Sequence, residues 1–476
     1  MMHLSKTILC TVLWIPLAFL HAQDIEYDKQ LGAEGARTVL TQYGIDDSKT
    51  SEYVKKVGDN LAGSLTEPIF EYQFNIADTP EPNAFALPGG YVYVTRGLLA
   101  MVNTEDELAG VMGHEIIHAY RRHSIKQMKK SILPSILKIP GNIIGAFSPN
   151  LGSIINAPSN LFIANYSRKH EKESDELGVG LSAAAGYDPY ALAPILERLS
   201  AEVELLTGQE EKKGYFSDHP YTPDRVDNIN QIAGSARKGT DNRIAQSDNE
   251  FLQQLDGMWF GDNPAYGTFN KSRFLHPTLK IGLQFPENWK TINSAQAVGG
   301  FSKDNKAVFV LSIPQQQMSP EAYSKLVIEK LQKEYKLEPV KAEPITINGL
   351  NGYTVHLYKE QKKQESIGIN LTWLASDGNT FQLASAYTDD NQEVTKKIEN
   401  SFSALSNKEV ANIIGHQIKI IAPKEGESLE ALCKRTQNTW DVPFTAMANG
   451  LSTSQPLSSK RKIKISVEKK FMVEDK

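Results

Sequence analysis

The five residues His114-Glu115-Ile116-Ile117-His118 constrain this chain more than any other stretch. Successive helical residues turn by about 100°, so His114 and His118 stand about 40° apart on one face and can hold one metal ion together. Glu115 lies on the neighbouring face. From there its carboxylate can reach an attacking water without ligating the ion, the position of a general base. Thr104 and then Glu107 read as a capping box, and Leu108, Val111, Met112 and Ile116 recur at helical spacing, so the motif belongs on a helix. Gly110 and Gly113 lower helix propensity and fit a place where another element packs closely. His123 falls about 180° round the helix from His114 and is expected to be a basic residue near the helix C-terminus, not a ligand.

Catalytic zinc normally takes three protein ligands, and two histidines leave one unassigned. A second helix is expected over 166–184, where Glu171 and Asp175 share a face one turn apart. Glu171 is the expected third ligand, with Asp175 accepting a hydrogen bond from the free ring nitrogen of a ligand histidine. Glu173 is expected to point away. His170 is a rival ligand, but it faces about 100° from Glu171. An extended motif with Gly at 121 and His at 124 is absent, because Arg121 and Ser124 stand there, which excludes the metzincins. A glutamate ligand on a downstream helix is the gluzincin pattern.

Upstream, Asn83 to Gly90 lead into Tyr91-Val92-Tyr93-Val94-Thr95, a β-rich run after a Pro-Gly-Gly turn. Gly90, Tyr91, Val92, Tyr93 and Val94 are the expected substrate strand, an exposed edge that would hold an extended peptide through main-chain hydrogen bonds. An ordinary hairpin is the plain alternative. Downstream, Asp218-His219-Pro220 and Arg225 open another helical stretch. His219 or Arg225 is a candidate for stabilising the developing oxyanion. The charged segment 207–214 would let His219 swing into the water position and gate the site.

The combination of Asn83-Ala84-Phe85-Ala86-x-Pro88-Gly89-Gly90, His114-Glu115-x-x-His118, Glu171-x-x-x-Asp175 and His219-Pro220 with Arg225 resembles the BepA-like (YfgC-like) periplasmic zinc peptidases, relatives of HtpX and the CAAX prenyl endopeptidases. The resemblance covers about 28–232. It implies a zinc endopeptidase, with one Zn²⁺ per chain, that serves envelope protein quality control. The membrane-spanning helices of HtpX-type relatives have no counterpart in the mature part of this sequence. No 34-residue period follows that would mark the tetratricopeptide repeats of the outer-membrane assembly branch.

The 476-residue chain is long enough for two to four domains, and its net charge of −5 gives no basic footprint for nucleic acid. Residues 1–22 read as a cleavable signal peptide, with Lys6, an apolar run from Ile8 to Leu20 and a small residue, Ala22, at the cut. A periplasmic or secreted protein is therefore expected. Cleavage leaves Cys433 alone, so no intramolecular disulfide can form and no thiolate can serve the zinc site. The apolar, proline-studded stretch 131–162 suits a lid over the cleft, a patch against membrane or partner, or a packed irregular connection.

The expected fold is multidomain: a mainly α-helical gluzincin metallopeptidase domain with a small β-sheet over 23–245, an α+β domain over 246–410 and a small βααβ domain over 411–476. In the second, alternating runs at 279–285, 307–311 and 380–383 interleave with helical patterns at 320–335 and 393–406, which implies an antiparallel sheet. Phe285-Pro286-Glu287-Asn288-Trp289 after a strand resembles PsbP-like domains. No catalytic cluster is evident there, and His276 and His356 read as structural. The last segment resembles LysM, a fold that elsewhere binds glycans, which makes peptidoglycan a candidate partner beside unfolded or misfolded envelope polypeptides. The rival to proteolysis is a metal-stabilised chaperone or scaffold, for which Glu115 has no use.

Overall fold

The computed structural model describes residues 17–128, 166–207, 215–220, 223–314, 317–335, 338–359 and 366–472. Most of the signal peptide, the stretch 131–162 and the segment 208–214 lie outside the described residues.

The N-terminal half is helical around a small sheet. Its helices are α1 (Leu17–Tyr43), α2 (Lys49–Ala62), α3 (Arg96–Met101), α4 (Glu105–Tyr120), α5 (His123–Met128), α6 (Arg168–Ala184), α7 (Leu192–Thr207), α8 (Tyr215–Asp218) and α9 (Pro223–Ser235). The strands β1 (Ile45–Asp46), β2 (Gln73–Ala77), β3 (Ala84–Leu87) and β4 (Tyr91–Thr95) form one sheet in the order β1-β2-β4-β3. This overturns one expectation. β4 is internal, parallel to β2 on one side and antiparallel to β3 on the other, so Tyr91 to Val94 offer no free edge. The run is too apolar to be left unpaired, and the edge facing away from β4 belongs to β3.

α4 carries the His-Glu-x-x-His motif through the centre of this unit. Every residue from Glu105 to Ala119 is buried, as expected of a helix wrapped on all sides. The Thr104 side chain caps it by accepting from the Glu107 amide. The reciprocal half of the capping box is missing, because the Glu107 carboxylate accepts from the Asn103 amide at 2.7 Å and pairs with Arg198 at 2.8 Å. α6 lies against α4 at a glycine contact. A Cβ on Gly178 would sit 2.9 Å from His114 Cα, and one on Gly113 would sit 2.6 Å from Ser182 Oγ. Two glycines thus let the helices bearing the histidines and the acids approach closely.

After α10 (Asp248–Gln254) and β5 (Trp259–Phe260) the chain becomes strand-rich. β6 (Thr268–Asn270), β7 (Arg273–His276) and β8 (Ile281–Gln284) form a sheet closed by β16 (Ser403–Ala404). β9 (Lys290–Asn293), β10 (Ala297–Phe301), β11 (Ala307–Ser312), β12 (Lys341–Ile347), β13 (Leu350–Lys359), β14 (Ile367–Ser376) and β15 (Asn379–Thr388) build a seven-stranded sheet in the order β12-β13-β14-β15-β11-β10-β9. All its pairings are antiparallel. α11 (Pro320–Lys330) falls within the first stretch read as helical, α12 (Gln392–Asn400) overlaps the second and starts one residue earlier, and the short α13 (Asn407–Val410) follows.

The last segment runs β17 (Ile414–Ile421), α14 (Leu429–Thr436), α15 (Val442–Ala448) and β18 (Ile463–Lys470). β5 pairs with β17, and Ile418, Ile420, Trp440 and Ala448 are buried in the same hydrophobic cluster as α4. Lys464, fully buried, donates from Nζ to the Val102 carbonyl at 2.6 Å, just ahead of the α4 cap. The interior around the motif helix therefore extends beyond the 23–245 span and includes side chains from the C-terminal segment.

Candidate metal centre

His114 and His118 point from one face of α4 toward α6, with their Nε2 atoms 2.9 Å apart. The Glu171 carboxylate lies 3.2 Å from His118 Nε2 and 3.6 Å from His114 Nε2. His219, just past α8, completes the group, its Nδ1 3.2 Å from Glu171. One ligand atom from each of these four residues lies within 4.8 Å of all the others, and all four are buried. The described residues thus bring His114, His118 and Glu171 together, and they place His219 at the fourth corner.

Around this group stand the side chains that orient it. Asp175 Oδ1 is 2.9 Å from His114 Nδ1, the nitrogen that faces away from the group. Arg225 grips Asp175 with two hydrogen bonds of 2.8 Å and reaches Glu171 at 3.0 Å. Its guanidinium is therefore committed to the two carboxylates, and of the two oxyanion candidates only His219 faces the cluster unencumbered by a bidentate pair. Glu115 is fully buried beside the group, with Oε1 3.4 Å from His219 Nε2. Tyr215 stacks on His219, ring centroids 4.4 Å apart, which fixes the plane of that imidazole.

One sequence reading is corrected here. α4 ends at Tyr120, so His123 begins a new helix instead of continuing the old one. That turn buries His123 completely and brings its Nδ1 within 3.2 Å of His118 Nδ1. Burial, with His170 stacked against it, lowers its imidazole to about 4, so it is a neutral hydrogen-bonding group and no helix-terminal cation. Glu173 points away from the ligand group, as expected, where it bonds Arg121 and lies 3.3 Å from His123 Nε2. His170 stacks on His123 and is absent from the ligand group. The support of His118 was missed because the helix break at Arg121 and Arg122, the latter with a left-handed φ of 56°, leaves no periodic trace.

The electrostatics suit a divalent cation. Burial opposes ionisation of Glu171, but His219, Arg225, His114 and His118 outweigh it and hold the carboxyl well below its ordinary range. Asp175 behaves likewise, held down chiefly by Arg225 and His114 against the pull of burial. Burial drives His118 well below its usual value. In His114 burial is outweighed by the hydrogen bonds to Asp175 and Glu171, and its range is raised. Glu171 and Asp175, both held in the ionised range, and the buried Glu115 gather three carboxyl groups around the imidazoles. A carboxylate with imidazoles is a donor set that zinc favours.

Residues 48–233 match the sequence pattern of peptidase family M48, about two fifths of the chain. They form an M48 domain. Among curated relatives, a putative beta-barrel assembly-enhancing protease of Vibrio cholerae is 32% identical over 190 residues, 38% of this chain and 39% of that protein. The mitochondrial metalloendopeptidase OMA1 of Schizosaccharomyces pombe is 29% identical over 214 residues, 44% of this chain and 61% of its own length. The Escherichia coli beta-barrel assembly-enhancing protease is 24% identical over 215 residues, covering 44% and 43%. The chain thus spans less than two thirds of each of these relatives, and what it shares with them is the M48 domain. Of solved structures, a cyanobacterial PsbP from Synechocystis covers 28% of this chain and 91% of its own at 10% identity and a TM-score of 0.23. LpqN of Mycobacterium tuberculosis covers 29% and 87% at 12% identity and a TM-score of 0.18. No described helix is long and apolar enough to cross a membrane.

Proposed function

We propose that the chain is a zinc-dependent endopeptidase that cleaves unfolded or misassembled envelope polypeptides, with Glu115 as general base. The observation that carries the reading is the buried, non-ligating Glu115 beside the group His114, His118, Glu171 and His219. Zinc held by His114, His118 and Glu171 would lower the pKa of a water toward about 7 and polarise the scissile carbonyl. Glu115 takes the proton of the attacking water and later hands it to the leaving amine. Asp175 fixes the ring of His114, and His123 does the same for His118. Arg225 positions both carboxylates of α6.

His219 serves as gate and oxyanion partner. Seated 3.2 Å from Glu171, it occupies the side of the cluster where a water and a peptide carbonyl belong, so substrate must displace it. The peptide itself is held on β3 instead of β4. Asn83 bonds Thr95 across the β3–β4 pair, so antiparallel alternation turns the main-chain groups of Ala84 and Ala86 away from β4, where the Ala86 carbonyl accepts from Ser124 Oγ at 3.4 Å. An extended chain that displaces Ser124 there pairs through its backbone, which suits substrates of varied sequence. The similarity to beta-barrel assembly-enhancing proteases supports an envelope task.

Casein cleavage by a Glu115→Gln variant tests the reading. Activity should fall by about 10²- to 10⁴-fold with metal content unchanged. A variant that still cleaves at the wild-type rate would leave the site to the chaperone or scaffold alternative.

A further inference from the structure

The seven-stranded unit holds an open cavity of about 710 Å³, remote in sequence from the metal centre and unused by the proposed chemistry. Its volume falls in the range of small-ligand sites, roughly 300–1,000 Å³. Phe285 and Ile398 form the floor, each 1% exposed, and half-buried Trp289 forms a wall. The wall is built by a glycine. A Cβ on Gly300 would lie 2.8 Å from the Phe285 ring and 3.1 Å from that of Trp289, so only glycine lets both rings lie flat on β10. The floor and wall are apolar, and the charge sits on the rim.

That charge is unbalanced. Asp304, the acidic group lining the cavity, is exposed in its turn, accepting from Ser302 Oγ at 2.6 Å and from the Lys306 amide at 3.2 Å, and one carboxylate stands against two ammonium groups. Lys303 and Lys397 are exposed on the rim, and neither forms an ion pair among the described residues. An apolar pocket crowned by two uncommitted ammonium groups is complementary to an apolar group that carries an anion.

We infer that this cavity binds the C-terminal residue of an unfolded polypeptide, its apolar side chain against Trp289 and Phe285 and its free carboxylate between Lys303 and Lys397. The choice of a polypeptide over another apolar acid rests on the proposed endopeptidase function. Substrate captured by its end would be presented to the M48 domain by a second site, raising its effective concentration there.

Calorimetric titration of the full-length chain tests this, with N-acetyl-Ala-Ala-Phe as free acid, the same peptide as C-terminal amide, and decanoate. Mass spectrometry checks that the peptides remain intact. The free acid should bind, the amide at least about tenfold more weakly, and a Lys303→Gln/Lys397→Gln double variant should lose the preference. Equal affinity for acid and amide, binding of decanoate alone, or no binding of any probe would overturn the inference. Binding is read without cleavage, so its failure is separate from loss of proteolysis in the Glu115→Gln variant. Should both lysine substitutions unfold the chain, Trp289→Phe provides the second check: it should keep the acid preference and weaken both peptides.

Discussion

Asp175 Oδ1 lies 2.9 Å from His114 Nδ1 while Arg225 clasps the same carboxylate with two bonds of 2.8 Å. The acid thereby fixes the imidazole's tautomer and turns its other nitrogen toward Glu171 and His118. Asp175→Asn keeps the shape but removes the charge, and it should weaken zinc binding by about 10- to 100-fold. Competition with a chromogenic chelator measures this. Unchanged affinity would show that His114 needs no such partner.

The contact between α4 and α6 yields a second expectation. Gly178→Ala adds a methyl 2.9 Å from the His114 backbone, where neither helix has a side chain that can step aside. The helices must separate by a few tenths of an ångström, at a cost of about 1–3 kcal/mol. Thermal unfolding should show a lower midpoint, and zinc affinity should fall with it, since Glu171 moves away from both histidines. Gly180→Ala on the same helix has open space around it and serves as control.

A buried acid outside the site gives a pH test. Glu202 is 7% exposed on α7, and burial, aided by the charge of Glu81, pushes its carboxyl up to about 7. The folded chain thus binds a proton there that the unfolded chain has already released, and stability falls as pH rises from about 4.5 through 7. The full shift corresponds to a penalty on the order of 3 kcal/mol above that window. Glu202→Gln should raise the unfolding midpoint at pH 8 and leave it nearly unchanged at pH 5. An equal effect at both values would contradict the assignment.

What was legible in the sequence follows physical lines. The motif helix, the ligand glutamate one helix later and Asp175 all rest on helical periodicity, which survives in one dimension, and the described residues place them together. The place of His123 is hidden because a two-residue break with a left-handed Arg122 resets the helical phase. The strand over Tyr91–Thr95 was visible from its β-branched and aromatic run, but its place inside the sheet depends on the remote β2. The burial of Ile418, Trp440 and Lys464 against the α4 surroundings was equally hidden, since no local pattern tells which neighbour an apolar face will meet. The cavity beside Trp289 depends on residues about a hundred positions apart.

The central claim is that one divalent cation is held between α4 and α6. Diffraction from crystals of the full-length chain, recorded on either side of the zinc absorption edge, tests it most directly. A single anomalous peak is predicted about 2.0–2.2 Å from His114 Nε2, His118 Nε2 and a Glu171 oxygen. A peak elsewhere, such as between His123 and His170, or none within reach of those three side chains, would contradict the account.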